Sequence, residues 1–480
     1  MNTKKFVASA LGTAAVLPLA GACAKTLAVK RKQSVYTPKG DPELARSYAE
    51  KLAEMIRYET VSVPEEDQRE KFLGFHALLK ELFPLLHQKL EKTEIDGNLL
   101  YYWKGKSSER PIVLMSHQDV VPAEGSWRYA PFSGTIADGK IWGRGTGDIK
   151  SGVFAFMQAV EELLQSGFTP EQDVYLCSSC TEEVGGDGGP KLVGELQRRG
   201  VRPWLLCDEG GGIITEPIKG IPGSFAMIGV VEKGTANVKF TARSAGGHAS
   251  APGRNTPIER LAAFIREVQT KKPFRSEMMP EVESMLEGLS QYAGFGMRLL
   301  LGNMWLFKPL LVRAMPSISN ESAAMLRTTI AFTMQSGSDA CNVLPQEASV
   351  CANLRFIPHQ GMQESLKILE KLAKKHGLEM ELLNGNDFCP PVDRNAGGWK
   401  HVISTIEKTF PGLAYSPYVM TGATDARFYE QQCESCIRFA PVVYGPEQLN
   451  SMHGIDENLQ IDCLPGAVEF YKNIILDNTI

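Results

Sequence analysis

The chain has 480 residues, of which 43% are hydrophobic and 22% are charged, and its formal net charge is −4. This length and apolar fraction are sufficient for one large domain or two ordinary domains. The slightly acidic balance gives no reason to expect nucleic acid as a partner, and the ten cysteines follow no disulfide framework.

The N-terminus has the pattern of an export signal. Lys4 and Lys5 precede an apolar stretch that ends in small residues before Cys23. This pattern predicts a signal peptide over residues 1–22 and an exported protein, secreted or periplasmic. The same site partly resembles a bacterial lipoprotein box, which would attach a lipid to Cys23. An uncleaved anchor is a third alternative, so membrane attachment through the N-terminus stays open.

Three short apolar runs, at residues 112–115, 174–177 and 204–207, are typical of buried strands in a parallel sheet. Each run ends in acidic residues or histidine. Because sites in open α/β sheets form at the carboxyl ends of strands, three such endings suggest ligands that converge on a hard or borderline cation. The side chains are His117 and Asp119 after the first run, Glu182 and Glu183 after the second, and Asp208 after the third.

The pattern changes after residue 228, where apolar and polar residues begin to alternate. A strand, a helix capped by Thr256, two strands, a second helix and a last strand are expected up to residue 385. This β-α-β-β-α-β order predicts a split βαβ, ferredoxin-like domain. The sequence thus predicts an α/β protein with a mixed, mainly parallel sheet flanked by helices and this second domain inserted into it.

An unusual segment, residues 271–327, interrupts the inserted domain and is rich in leucine, methionine and aromatic residues. One interpretation is a helical hairpin that packs on the inserted domain. The other is an apolar wall for an acyl chain or a membrane surface.

Several boxes occur in a defined order along the chain. They are the His-x-Asp-Val-Val-Pro box at His117, Gly-Arg-Gly-x-x-Asp at Asp148, the Glu182-Glu183 pair, Asp-Glu-Gly at Asp208, Gly-Gly-His-Ala-Ser at His248 and His-Gly at His453. In this order the chain resembles the M20 metallopeptidases, from about residue 42 to 478. Within them it looks most like the branch of Gly-X carboxypeptidases and N-fatty-acyl-amino-acid hydrolases. The resemblance makes residues 40–228 and 386–480 a catalytic domain and residues 229–385 a lid.

The resemblance also implies a metal centre of two zinc ions, with Asp148 as the bridging ligand. It assigns His117 and Asp208 to one zinc and Glu183 and His453 to the other. Cobalt or manganese could occupy the same ligands.

Catalytic roles follow from the same resemblance. Asp119 would accept a proton from the far nitrogen of His117 and fix its orientation. Glu182 would be the general base. His248 would stabilise the oxyanion, often from a partner subunit, which would make the lid a homodimer surface. Asn342 would assist it.

The predicted substrate contacts lie in the lid and near the C-terminus. Arg355 would grip a substrate carboxylate with two parallel hydrogen bonds, although a solvated sheet face is an equal alternative from the pattern alone. Gly422 and Thr424 resemble the family's substrate loop, with Arg427 nearby.

Together these features predict a two-zinc amidohydrolase that cleaves an amide bond next to a free carboxylate, in peptides or in N-acyl amino acids. One alternative is an aminoacylase for small N-acyl amino acids. Another is an exported peptide-binding protein without activity, against which Glu182 argues, because a binder needs no base beside a metal.

Overall fold

The computed structural model describes residues 17–38, 40–64 and 69–479. The predicted signal peptide therefore lies outside the described residues up to residue 16. The described remainder of it, residues 17–22, belongs to a helix that continues to residue 28 and carries Cys23 within it.

The helices and strands follow one another in a mixed order along the chain. The helices are α1 (described over residues 17–28), α2 (Pro42–Arg57), α3 (Arg69–Leu82), α4 (Pro84–Lys89), α5 (Lys150–Gln165), α6 (Gly188–Arg198), α7 (Pro257–Lys271), α8 (Pro280–Ser290), α9 (Phe295–Leu301), α10 (Met304–Ala314), α11 (Asn320–Leu326), α12 (Met362–Lys375), α13 (Gly397–Thr409), α14 (Pro446–Ser451) and α15 (Leu464–Leu476). The strands are β1 (Glu91–Ile95), β2 (Asn98–Trp103), β3 (Ser107–Met115), β4 (Thr135–Ala137), β5 (Lys140–Trp142), β6 (Gln172–Ser178), β7 (Leu205–Asp208), β8 (Gly212–Thr215), β9 (Ser224–Glu232), β10 (Gly234–Arg243), β11 (Gly247–His248), β12 (Thr329–Ser336), β13 (Val343–Leu344), β14 (Glu347–Phe356), β15 (Glu379–Asn386), β16 (Ala414–Met420), β17 (Ser435–Arg438), β18 (Val443–Tyr444) and β19 (Asn458–Gln460).

A ten-stranded mixed sheet forms the centre of the molecule, in the order β1-β2-β6-β3-β7-β17-β9-β8-β18, with β16 also paired to β9. Its middle is parallel, because β3 runs parallel to both β6 and β7, and β7 runs parallel to β17. The three apolar runs predicted as strands lie here, buried between α5 and α15 on one side and α6 on the other. The predicted α/β class with a mainly parallel sheet is confirmed.

A separate four-stranded antiparallel sheet, β12-β14-β10-β15, has its own apolar core beneath α7 and α12. Chain order and sheet order are those of the ferredoxin-like arrangement. The alternation that predicted it is visible in β10, where Ala236, Val238 and Phe240 are buried and the residues between them are partly exposed.

The insertion differs from its first interpretation. The insertion forms α8 to α11, and buried side chains of these helices, among them Met285 and Leu289, belong to the core of the central sheet, whereas Phe274 before α8 belongs to that of the lid. Helix α8 packs against β16. The buried side chains of these helices therefore pack on the central sheet.

The domain edge also lies slightly later than the predicted residue 228, since β9 continues in the central sheet to Glu232.

Among the described residues, no helix is both long enough and apolar enough to cross a membrane.

Candidate metal centre and active site

The strand order brings the predicted ligands to one edge of the central sheet. Strand β3 lies between β6 and β7, and His117, Glu183 and Glu209 follow these three strands closely. Since parallel strands present their carboxyl ends at the same edge, these loops are neighbours.

Two groups of ligand atoms meet at Asp148. Its Oδ1 lies 3.1 Å from Nε2 of His117, and its Oδ2 lies 2.7 Å from Nε2 of His453. His117 Nε2 is also 3.3 Å from Oε1 of Glu209, and His453 Nε2 is 3.2 Å from Oε2 of Glu183. One carboxylate therefore faces two histidines through its two oxygens, and each histidine has a second acidic neighbour.

The orientation of His117 is fixed by its own loop. Its Nδ1 lies 2.9 Å from the backbone carbonyl of Asp119. Because a carbonyl only accepts hydrogen bonds, Nδ1 donates its proton to it, and Nε2 is the ring nitrogen that faces Asp148 and Glu209.

The side chain of Asp119 makes further contacts besides its predicted contact with His117. Its oxygens accept the backbone N–H groups of Glu182 at 3.2 Å and Glu183 at 3.1 Å, and the hydroxyl of Ser62 at 2.7 Å. Its Oδ1 is 3.5 Å from Nδ1 of His117, so the backbone carbonyl makes the closer contact. Asp119 thus holds the acidic pair after β6 in place.

The structure does not bring Asp208 to either ligand group. Asp208 ends β7 and is buried, and its carboxylate accepts the backbone N–H groups of Glu209 and Ala426. Its neighbour Glu209 faces His117 instead. The predicted ligand Asp208 is therefore replaced by Glu209 in this structure, because adjacent side chains at the end of an extended strand point in opposite directions.

The loop that carries Asp148 is anchored by a buried ion pair. Glu457 Oε1 accepts the backbone N–H groups of Gly145, Gly147 and Asp148 at 3.1, 2.8 and 3.1 Å, and Oε2 lies 2.5 Å from Nη1 of Arg144. Gly145 has a φ of +90°, which residues with side chains rarely adopt, so the Gly-Arg-Gly turn requires glycine there. Asp148 does not cap the helix after it, since α5 begins at Lys150 without a side-chain cap.

Arg144 and Glu457 also join the two ligand loops. Arg144 Nη2 donates to the carbonyl of Gly454 at 2.9 Å, and Gly143 N–H donates to the carbonyl of Glu457 at 2.9 Å. Asp148 and His453 are therefore held by a shared frame. Arg144 and Glu457 are not among the residues predicted from the sequence, although Arg144 lies inside the box of Asp148 and Glu457 lies shortly after His453.

The electrostatics of the cluster are those of crowded carboxylates. Burial raises the pKa of Glu209 to about 8 and that of Glu182 well above its usual range. Hydrogen bonds to Asp148 and then Glu183 raise the pKa of His453 to about 10. In Asp148, contacts with the two histidines outweigh burial and hold its pKa well below the usual range. A divalent cation would reduce the electrostatic repulsion between these neighbouring carboxylates.

The residues present fit a divalent cation. Each group, His117 with Asp148 and Glu209, and Asp148 with Glu183 and His453, offers nitrogen and oxygen atoms within 4.8 Å of one another. Oε1 of Glu183 is buried and has no hydrogen-bond partner within the described part of the chain. Nitrogen and oxygen donors of this kind suit zinc and related ions.

A cavity of about 1290 Å³ opens beside these groups. Glu182 lines it, and within residues 17–38, 40–64 and 69–479 no group hydrogen-bonds to its carboxylate. Part of the cavity wall is apolar and includes Ile218, together with Met285 and Met325 from the insertion.

The predicted substrate residues separate into two sets. Arg355, Gly422 and Arg427 line the cavity. Thr424 does not, because it is buried with its N–H and hydroxyl bound to the carboxylate of Glu232. Arg355 Nε donates to Asn353 Oδ1 at 3.1 Å, and no carboxylate among the described residues lies within ion-pair distance of it.

His248 and Asn342 are not brought to the cavity within one chain. His248 is exposed on β11, which pairs with β13, and its Nδ1 contacts Ser250 Oγ at 2.7 Å. Asn342 lies alongside, where its carbonyl accepts the N–H of Ala249. Both residues thus stay together, away from the described cavity wall.

Comparison with known proteins agrees with this geometry. Residues 113–477 match the family described as Peptidase family M20/M25/M40. The chain belongs to this family. Membership implies a divalent metal, and it makes the chain a hydrolase of the metallopeptidase type.

Relatives of this M20 hydrolase cover nearly its full length. It is 32% identical over 452 residues to "Probable carboxypeptidase S-like 2" of Dictyostelium discoideum, and the alignment covers 92% of this chain and 86% of that protein. It is 33% identical over 461 residues to "N-fatty-acyl-amino acid synthase/hydrolase PM20D1" of Xenopus tropicalis, with 93% and 88% covered. The M20 family metallo-carboxypeptidase Sso-CP2 of Sulfolobus solfataricus shares the fold, with a TM-score of 0.66, 19% identity and 91% and 98% covered.

Proposed function

We propose that this M20 hydrolase is a di-zinc amidohydrolase that cleaves an amide bond next to a free carboxylate. The observation that carries the proposal is the position of Asp148, whose two oxygens each face a different histidine. Two divalent ions held there would polarise the scissile carbonyl and make a bound water more acidic.

Glu182 is the general base in this proposal. It lines the cavity beside the ligand groups, and its carboxylate has no hydrogen bond within the described residues to hold it elsewhere. It takes a proton from the attacking water and passes it to the leaving nitrogen. The raised pKa of Glu182, caused by burial, suits a group that must bind that proton and release it.

Arg355 and Arg427 are the groups that recognise the free carboxylate. Both line the cavity, and Arg355 has no acidic partner within the described residues. A guanidinium can bind a carboxylate through two parallel hydrogen bonds. The requirement for a terminal carboxylate follows, because a neutral substrate end would leave this half-buried charge without a partner.

The apolar wall favours N-acyl amino acids with long acyl chains over small ones. Ile214, Met227, Met285 and Met325 line a cavity that is far larger than an acetyl group requires. The name of the Xenopus relative refers to N-fatty-acyl amino acids, and that of the Dictyostelium relative to a carboxypeptidase. Peptides with an apolar residue before the scissile bond fit the same wall.

The substrate class is tested with M325N, which changes a half-buried methionine of the cavity wall. This variant should lower kcat/KM for a long-chain N-acyl amino acid by about tenfold or more, because apolar contact area is lost, and should leave an N-acetyl amino acid unaffected. M334N, which changes an exposed methionine of the lid, is the matched control. Equal losses on both substrates would reject the acyl-wall assignment.

The enzymatic assignment is tested with E182Q. The variant should keep its metal content and lose about 10²- to 10⁴-fold in turnover, the usual contribution of a general base. Undiminished turnover would remove Glu182 from the mechanism. A wild-type chain that binds peptides with metal present and never cleaves them would identify a binding protein instead.

Export and the fate of the N-terminus remain part of the proposal. Cleavage before Cys23, or a lipid on Cys23, is read directly from the mass of the N-terminal peptide after expression in a secreting host. A peptide that still begins at residue 1 would leave the uncleaved anchor as the answer.

A further inference from the structure

A continuous surface is formed by α1, the residues that follow it, and α9 and α10 of the insertion. Asn303 Nδ2 donates to Thr26 Oγ1 at 3.0 Å, and Trp305 Nε1 donates to Asn303 Oδ1 at 3.3 Å. Lys25 Nζ and Arg31 Nε donate to carbonyls of the same insertion at 3.2 and 2.9 Å. The N-terminal segment is thus attached to the insertion, and the two share one face.

This face exposes large apolar side chains to an unusual degree. The exposed fractions run from 45% to 72%. Single exposed apolar residues are ordinary on protein surfaces, but several on linked segments, with a tryptophan among them, mark an interaction site. The residues are Leu27, Phe295, Trp305, Leu310 and Ile318.

Within the two segments themselves the charge is one-sided, while Glu283 of the neighbouring α8 pairs with Lys308. Residues 17–40 and 295–318 contain no aspartate or glutamate, although the chain as a whole has a net charge of −4. Cations are placed on both segments, among them Lys30, Arg31, Lys32 and Arg313, which are exposed. We call this surface, residues 23–32 with residues 295–318, the basic apolar face; it keeps all its named side chains after cleavage before Cys23.

We propose that the basic apolar face docks on the surface of an anionic lipid bilayer. Aromatic and aliphatic side chains beside cations, without acids, are the combination that binds a bilayer interface. Tryptophan is favoured there because its ring is apolar and its N–H is polar. A second copy of this chain is a poorer occupant, because the same face would oppose like charges to like.

The cavity wall draws on the same insertion that carries part of the basic apolar face. Helices α8 and α11, which flank α9 and α10, contribute Met285 and Met325 to the cavity wall. Entry of acyl substrates from the bilayer is a consequence that rests on the proposed function. Lipid binding itself does not, since it is measured without turnover.

The test is flotation of the full chain with vesicles of phosphatidylcholine, alone or mixed with phosphatidylglycerol. The wild type should bind the mixed vesicles, more weakly as salt rises. K30E/R31E/K32E should bind on the order of 100-fold more weakly, and W305S/L310S should also lose binding. The matched controls are K89E/K104E/K371E and L44S/L73S, which change exposed residues elsewhere. All variants should hydrolyse a short soluble substrate normally.

Residues 1–16 could bind lipid on their own, so contact by the face itself needs a separate measurement. Brominated phosphatidylcholine should quench part of the tryptophan fluorescence of bound protein, and W305F should remove that part. Absence of binding, binding without quenching at Trp305, or equal losses in the control variants would overturn the proposal. A self-association that W305S/L310S abolishes, without vesicle binding, would overturn it in favour of a second copy.

Discussion

The carboxylate of Glu457 accepts the backbone N–H of Asp148 at 3.1 Å, so the position of the central ligand depends on a residue that lies 309 positions later in the chain. Glu457 is buried and is paired with the equally buried Arg144. The loop that carries Asp148 is therefore held by an ion pair that belongs to neither group of candidate metal ligands.

Two replacements of Glu457 should distinguish the loss of its charge from the loss of its hydrogen-bond acceptors. E457A leaves Arg144 buried without a partner and three backbone N–H groups without an acceptor, so it should lower the free energy of unfolding by about 3–5 kcal/mol. E457Q keeps an oxygen acceptor, so it should fold and weaken metal binding about 10- to 100-fold. Metal affinity is measured by competition with a chromophoric chelator, alongside urea denaturation.

Glu447 provides the control for this pair of variants. Its exposed carboxylate forms an ion pair with the half-buried Lys140 near the same loop, and ion pairs at the surface contribute about 0–1 kcal/mol. E447Q should change neither quantity. If E457Q binds metal as tightly as the wild type, Glu457 contributes to folding alone.

The neighbours Asp208 and Glu209 should respond differently to loss of charge. E209Q removes a group 3.3 Å from His117 and should cost more metal affinity than the about 10- to 100-fold typical of residues outside the ligand set. D208N should alter stability through the N–H of Ala426 and leave metal content close to that of the wild type. Metal analysis of both variants decides, and the reverse ranking would restore Asp208 as the ligand.

His248 is expected to act in the active site of a partner chain, because its own cavity does not include it. H248A and E182Q should each be inactive, since one lacks the oxyanion donor and the other the base. Mixed after dissociation and reassociation, they should recover activity, because one site per heterodimer then has both groups. A mixture that stays inactive, in a chain shown to be monomeric, would assign His248 another role.

The buried Lys233 should make the unfolding free energy of the protein depend on pH. It is buried, donates to the carbonyls of Ala324 and Arg327, and burial lowers its pKa from 10.5 to about 7. Between these values the unfolded chain binds more protons than the folded chain, so stability should rise with pH over this window. A pKa that differs by one between the folded and the unfolded chain corresponds to about 1.4 kcal/mol of unfolding free energy.

The variant K233M tests this assignment. Methionine cannot titrate. The unfolding free energy of the wild type should therefore increase relative to that of the variant from pH 7 to pH 10. Denaturation curves of the metal-free proteins at several pH values provide the comparison. A constant difference would show that Lys233 has an ordinary pKa in the folded chain.

Local patterns predicted the parts of this molecule that depend on short-range periodicity. The apolar runs before His117 and Glu182 could be identified as buried strands, and alternation in β10 identified a half-buried sheet. The ligand side chains follow from these strands, since parallel neighbours end at a common edge.

The choice between adjacent residues could not be made in this way. Asp208 and Glu209 are both acidic, and only the end of β7 and its pairing decide which one faces His117. Likewise, the Asp119 side chain could not be assigned to the backbone of Glu182 and Glu183 without the path of the loop after β6.

Long-range packing accounts for the remaining differences. An amphipathic helix has the same apolar face whichever domain covers it. The sequence of the insertion alone therefore could not show whether its helices pack against the lid or against the central sheet. The frame of Arg144 and Glu457 joins segments that lie far apart in the chain. No local pattern indicates such a pair, although both residues lie near recognised boxes.

The number of metal ions bound per chain tests the central claim most directly. Titration of metal-free protein with zinc should give two equivalents in the wild type and one in H453A, in which His117, Asp148 and Glu209 remain together. A single equivalent in the wild type, or two equivalents in H453A, would contradict a centre in which Asp148 joins two metal positions.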